Sequence, residues 1–105
     1  MNSQRLQQLL AFLAESPNES FILFALAKEY EGQGQIENAF KYYLQLQQTN
    51  PNYVGLYYHL GKLYEQTNQF DTAFETYEKG IVVAQKAGDR HAQGELMEAK
   101  MNLED

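Results

Sequence analysis

The chain has 105 residues, 44% of them hydrophobic and 21% charged, so it is long enough for one modest core and too apolar for a disordered protein. It contains no cysteine, which excludes disulfides and thiolate metal sites, and we expect a cytoplasmic location. The net charge of −6 disfavours nucleic acid and anionic membranes as partners, because both bind mainly through clustered Lys and Arg.

The first predicted element is a helix over residues 3–16, which contain the segment SQRLQQLLAFLAE. Polar residues interrupt its apolar stretch, and it lacks the basic region, apolar core and cleavage site of a signal peptide. We therefore expect this helix to be retained in the fold. No apolar run in the sequence reaches the roughly 18 residues of a membrane span.

The next two segments, residues 20–53 and 54–87, repeat one pattern at a period of 34 residues. Each begins with apolar residues at helical spacing, which predict a first helix. These stripes are Leu23, Leu26, Ala27 and Tyr30, and then Tyr57, Leu60, Gly61 and Tyr64. The short segments EGQGQ and EQTNQ follow and predict tight turns, with Gly34 or Asn68 in the left-handed conformation.

A second helix completes each repeat and again carries an apolar stripe. The stripes are Ile36, Ala39, Phe40 and Tyr43, and then Phe70, Ala73, Phe74 and Tyr77. The small residues Ala39 and Ala73 allow close approach of the two helix backbones. Each repeat is therefore predicted to be a helical hairpin.

The last predicted element is a helix over residues 89–103. Asp89 is a suitable N-cap. The apolar residues that follow it have the spacing of one helix face, namely Ala92, Leu96, Ala99 and Leu103. We expect this face to cover the apolar surface that the last repeat would otherwise expose.

The segment YYHLGKLY at residues 57–64 resembles the tetratricopeptide repeat, whose pattern is W-x2-L-G-x2-Y, followed by A-x3-F and then P. Tyr57 stands in place of Trp, and Ala73 and Tyr77 continue the pattern. The first copy supplies Ala39, Tyr43 and Pro51. The sequence departs from the pattern at three positions, with Leu23 for Trp, Ala27 for Gly, and Gln85 in place of the second Pro.

This resemblance implies an all-α, right-handed array of antiparallel helical hairpins with about six helices. We expect a single domain over residues 1–105. Its parts are one helix of an incomplete repeat at 3–16, repeats at 20–53 and 54–87, and a C-terminal capping helix at 89–103.

Catalytic and cofactor motifs are absent from the sequence. His59 and His91 lie on different predicted helices, and ordinary polar helix residues are the better interpretation of both. Gly32 and Gly34 are interpreted as turn residues, because no strand precedes them and no phosphate-binding Lys follows. We therefore expect no metal, no cofactor and no enzymatic activity.

A further stripe on each first helix is not needed for the hairpin core. It consists of Phe21, Phe24, Lys28 and Glu31 in the first repeat, and of Gly55, Tyr58, Lys62 and Glu65 in the second. In the family, first helices line a concave groove, so the resemblance implies that these residues face a bound peptide or helix. Phe24 and Tyr58 would then be apolar anchors, and Lys28 and Lys62 would pair with an acidic group.

The alternative for this stripe is a purely structural one. Phe21 or Phe24 would pack on the N-terminal helix, and the Lys and Glu residues would form surface pairs at i, i+3 spacing.

The predicted function is a non-catalytic interaction module for a protein or peptide partner, with no nucleic acid and no membrane as partner. The alternative is a self-associating module whose groove or terminal faces are filled by another copy. The incomplete N-terminal hairpin and the methionines Met97 and Met101 support this alternative.

Overall fold

The computed structural model describes residues 3–104 of the predicted domain, so residues 1, 2 and 105 lie outside the description. The described residues form six α-helices and no strand. The helices are α1 (Ser3–Glu15), α2 (Ser20–Gly32), α3 (Ile36–Thr49), α4 (Gly55–Gln66), α5 (Phe70–Ala87) and α6 (Arg90–Leu103). The predicted all-α fold of helical hairpins is confirmed.

Contacts between helices divide the described residues after Asn50 into two compact units. In the first unit, α2 packs along α3, and α1 packs on α2. An ion pair of 3.2 Å between Arg5 Nε and Glu29 Oε2 joins α1 to α2. In the second unit, α5 packs against both α4 and α6, and α4 also contacts α6. The contact between α4 and α6 gives the second unit a surface that these two helices share.

The turn inside each hairpin has the predicted left-handed residue. Gly34 has φ of 78° and Asn68 has φ of 62°. In both turns the amide of the following glutamine donates to a carbonyl five residues back, with an N–O distance of 2.9 Å from Gln35 to Tyr30 and from Gln69 to Tyr64. Such bonds satisfy carbonyls that the end of a helix leaves without a partner.

The hairpin cores consist largely of the predicted stripes. Fully buried positions include Leu26 and Leu60 on the first helices and Ala39, Ala73, Tyr43 and Tyr77 on the second helices. Phe70 departs from the expectation, because 50% of its surface is exposed. It is the first residue of α5, where the helix has only begun, so its side chain is not enclosed as those of the later stripe residues are.

Two glycines in the second unit mark positions where helices approach closely. A Cβ at Gly61 of α4 would overlap the ring of Tyr77 of α5. A Cβ at Gly80 of α5 would lie 2.5 Å from Cβ of Tyr57 and 3.0 Å from Cδ1 of Leu96 on α6. The first hairpin instead has Leu46 at the position equivalent to Gly80, and it buries that leucine completely. The two hairpins therefore solve the same packing problem with different residues.

The second helices end in different ways. Pro51 follows α3, and the preceding residue Asn50 has an extended φ of −148°, as expected for a residue before proline. Gln85 occupies the equivalent place in the second repeat, so α5 continues to Ala87 and has 18 residues, whereas α3 has 14. Gly88, the residue that follows α5, is left-handed with φ of 72°.

Helix α6 begins at the predicted N-cap. The Asp89 carboxylate accepts a hydrogen bond of 3.0 Å from the amide of Ala92. Of the predicted apolar face, Leu96 and Ala99 are buried, while Ala92 and Leu103 are partly exposed. The contact of this face with α5 leaves the neighbouring face of α6 beside α4.

Candidate functional site

A cleft of about 240 Å³ lies between α4 and α6 in the second unit. Its α4 wall contains Tyr58 and Lys62, which are one helical turn apart and were both predicted as partner-binding residues. Its α6 wall contains Glu95, Glu98, Ala99 and Asn102. The spacing of these four residues places them on one face of α6. An aromatic ring, an ammonium group, two carboxylates and an amide therefore surround one opening.

Lys62 is already engaged by groups of its own helix. Its Nζ atom lies 5.5 Å from the centroid of the Tyr58 ring and 3.7 Å from Oε2 of Glu65. The ion pair is the i, i+3 surface pair of the structural alternative, while Lys62 also lines the cleft as the binding prediction requires. The positive charge in the cleft is therefore partly neutralised by a neighbouring carboxylate.

The Tyr58 ring is held from a second side. It makes an edge contact with His59, with ring centroids 5.7 Å apart and planes at 89°. Tyr58 is half-buried and remains accessible from the cleft. A ring fixed in this way loses little conformational freedom when a ligand packs on it.

Glu31 and Glu65 have a role inside their hairpins. The hydroxyl of Tyr43 donates to Oε1 of Glu31 over 2.7 Å, and the hydroxyl of Tyr77 donates to Oε2 of Glu65. Burial is the main cause that raises the pKa of both tyrosines, and the hydrogen bond to the carboxylate adds to it. These carboxylates therefore tie the first helix of each hairpin to the second.

In the first unit, the predicted site residues lie on α2. Phe21 is 61% exposed, and Lys28 is also exposed. Phe24 is half-buried and makes an edge contact with Tyr43 of α3, with ring centroids 6.2 Å apart. Phe24 therefore contributes to hairpin packing, while Phe21 presents an aromatic surface to solvent.

The α6 wall of the cleft was not predicted from the sequence. Only the apolar face of α6 carried an expectation from the sequence, and Glu95, Glu98 and Asn102 lie outside that face. A signal was present, because these three positions are spaced i, i+3 and i+7 and thus share a helix face. The contact of α6 with α4 could not be predicted from this spacing.

Within residues 3–104, no group of His, Asp and Glu side chains is arranged to hold a metal ion. His91 lies 3.7 Å from Glu95 as an i, i+4 pair at the surface. In the same part of the chain, none of the helices combines the length and the apolar character that a membrane span requires.

Comparison with protein families gives one description, tetratricopeptide repeat, whose family model matches residues 22–53 and 54–86. These ranges nearly coincide with the two repeats seen in the sequence. Comparison with curated proteins yields no match.

Solved structures include clear relatives. The crystal structure of a tetratricopeptide repeat domain protein from Salinibacter ruber is 41% identical to this chain, covers 82% of it and 96% of its own length, and gives a TM-score of 0.79. The solution structure of a tetratricopeptide repeat domain protein from Salinibacter ruber is also 41% identical, covers 84% of this chain and 89% of its own, and gives 0.80. A Bordetella parapertussis protein is 26% identical over 93% of this chain and 85% of its own, also with a TM-score of 0.80.

Proposed function

Because the chain belongs to the tetratricopeptide repeat family, we propose that it is a non-catalytic module that binds a peptide or helix of a partner protein in the groove lined by its first helices. Repeats of this family generally serve as protein–protein interaction modules. The cytoplasmic location expected from the sequence belongs to the same proposal.

The cleft between α4 and α6 is the observation that supports this proposal best. It combines a half-buried aromatic ring with charged and amide groups at its edge, which is the composition of many protein-binding patches. Tyr58 is the proposed anchor, and Lys62 is a polar contact at the rim. In the first unit, Phe21, Phe24 and Lys28 are proposed contacts on α2, with Phe21 the more accessible aromatic.

Glu31 and Glu65 are proposed as positioning residues at the edge of the binding surface. Each is bonded to a tyrosine of the second helix in its own hairpin. A ligand that contacts either carboxylate would meet an acceptor whose position the tyrosine hydroxyl already fixes.

The test begins with selection of peptides from a random display library on the full chain. Affinity of the selected peptide is then measured for the parent, Tyr58→Ser and Phe70→Ser. Phe70 is the matched control, because it is an exposed aromatic of the same unit that does not line the cleft. Loss of a buried aromatic anchor commonly costs about 2 kcal/mol of binding, or about thirtyfold in affinity.

We expect Tyr58→Ser to lose about thirtyfold while Phe70→Ser stays within a factor of about two of the parent. Urea unfolding of both variants checks that they remain folded. Equal affinity for the parent and Tyr58→Ser would contradict the proposed anchor. A loss that simply follows the loss of folded protein would assign Tyr58 to packing.

Self-association is a second candidate function, favoured by an exposed apolar patch. Met97 and Met101 of α6 are 47% and 62% exposed, and both line a shallow cleft of about 170 Å³ with Ile81. Methionine adapts to irregular surfaces and suits such contacts. Sedimentation at several concentrations tests this candidate, and Met97→Gln with Met101→Gln should dissociate any oligomer that uses the patch.

A further inference from the structure

We infer that the cleft between α4 and α6 recognises a cationic side chain of the partner, and arginine in particular. This inference rests on the proposed function and names the chemistry of the ligand at the same site. It reverses the sequence-based expectation that Lys62 would pair with an acidic group.

The charge of the cleft favours a cationic ligand. One ammonium group, that of Lys62, and two carboxylates, those of Glu95 and Glu98, line the opening. The ammonium group lies 3.7 Å from Glu65, a third carboxylate just outside the lining. An acidic ligand would therefore meet a cation that already has a partner, together with two like charges. A basic ligand meets two carboxylates that line one cleft, of which Glu95 also lies 3.7 Å from His91.

The aromatic wall of the cleft also suits a cation. The chain places one of its own cations over this wall, because Nζ of Lys62 lies 5.5 Å from the Tyr58 ring centroid. The ring therefore has the environment in which a positive charge is stabilised by an aromatic face. A guanidinium group is planar and more weakly hydrated than an ammonium group, so it stacks on such a ring more readily.

The hydrogen-bonding groups of α6 favour arginine over lysine. A guanidinium group carries five N–H donors in a fixed fork and no acceptor. The α6 wall offers the carboxylates of Glu95 and Glu98 and the amide oxygen of Asn102, and these are acceptors on one helix face. Lysine would supply the charge but not the fork, so we expect arginine to bind more tightly than lysine.

The experiment uses three synthetic peptides that share one leucine-containing frame and differ only at a central pair of residues. The pair is arginine in the first peptide, citrulline in the second and glutamate in the third. Citrulline keeps the shape of arginine and replaces the guanidinium by a neutral urea. Binding to the full chain is measured by fluorescence anisotropy.

We expect the arginine peptide to bind about tenfold more tightly than the citrulline peptide, a difference of about 1.4 kcal/mol. Glu95→Gln with Glu98→Gln should remove that difference, and added salt should reduce it. Lys62→Gln should leave binding of the arginine peptide unchanged or tighten it, because it removes the one positive charge of the lining.

The matched control is Asp71→Asn with Glu75→Gln. These two substitutions change the net charge of the chain by the same amount as the pair on α6. The two carboxylates that they remove are exposed on α5 and do not line the cleft. If this pair weakens the arginine peptide as much as the α6 pair does, the effect is the general field of an acidic protein and the inference fails.

Other outcomes also overturn the inference. Equal binding of the arginine and citrulline peptides would do so, as would tighter binding of the glutamate peptide that Lys62→Gln abolishes. Absence of binding by all three peptides would overturn it as well. Failure of this inference can be distinguished from failure of the proposed function. A library peptide that depends on Tyr58 but not on Glu95 and Glu98 would sustain peptide binding and reject the cationic ligand.

Discussion

Gly80 allows a sharp test of how closely α4 and α5 pack. In Gly80→Ala, the new Cβ would lie 2.5 Å from Cβ of Tyr57, a distance that real Cβ atoms essentially never show. The opposing atom is bonded directly to the α4 backbone, so a change of rotamer does not move it away. The helices themselves must shift, and overpacking of this kind costs about 1–3 kcal/mol. We expect the upper end of that range.

Gly94 supplies the matched control, because it lies inside α6 and a Cβ there would meet nothing within 4 Å. Both substitutions gain the same helix propensity, about 1 kcal/mol for Ala over Gly. Gly94→Ala should therefore stabilise the chain by about 1 kcal/mol. Gly80→Ala should destabilise it by about 2 kcal/mol, because the packing cost exceeds the same gain.

Urea unfolding followed by circular dichroism measures both variants, and the midpoint and slope give the free energy of unfolding in each case. The expected gap between the two variants is about 3 kcal/mol. A gap below about 1 kcal/mol would mean that α4 and α5 separate without strain at Gly80. The close approach would then not be a constraint on the fold.

Two further predictions concern the hairpin cores. Ala73→Arg would place an unpaired charge at a fully buried position and should lower the free energy of unfolding by about 3 kcal/mol or more. Glu75→Arg, at an exposed position of the same helix, should lower it by less than about 1 kcal/mol. Equal urea midpoints for the two variants would contradict this prediction. The hydroxyls of Tyr43 and Tyr77 have raised pKa values, mainly through burial, so the folded chain holds these protons more tightly than the unfolded chain does. Their contribution to stability should be complete below the ordinary tyrosine pKa of about 10 and lost as the pH rises beyond it. Phenolate absorbance and urea midpoints between about pH 9 and 12 check this, and Tyr43→Phe with Tyr77→Phe should flatten the decline.

Local rules explain why much of the fold was predictable from the sequence. The turn residues Gly34 and Asn68 could be assigned because few residue types other than Gly and Asn adopt the left-handed conformation after a helix. Asp89 was recognisable as an N-cap for a similar reason. Each of these features depends on a few neighbouring residues, and the repeat presented the hairpin turn twice.

Features that depend on contacts between distant helices were not predictable in this way. Gly80 has no counterpart in the first repeat, and its importance comes from Tyr57 and Leu96 on two other helices. Glu95 and Glu98 could be placed on one face of α6 from the sequence, but only the structure shows that this face lies beside Tyr58. Phe24 was assigned to a ligand surface from its spacing together with the family resemblance, and the structure adds its contact with Tyr43. Spacing identifies a helix face but not the neighbour of that face.

The end of α5 has a consequence for exchange between copies of the chain. Pro51 limits α3 through its own covalent ring, which cannot supply an N–H donor. The end of α5 depends instead on the left-handed Gly88 and on the hydrogen bond of 2.9 Å from the Asp89 amide to the Ala84 carbonyl. If that turn straightened, α5 and α6 would form one continuous helix, and α6 would lose its contact with α5 of its own chain. The same contact would then be available on α5 of a second copy, which is how a domain-swapped dimer forms. In such an exchange, Gly88 would be the hinge between α5 and α6.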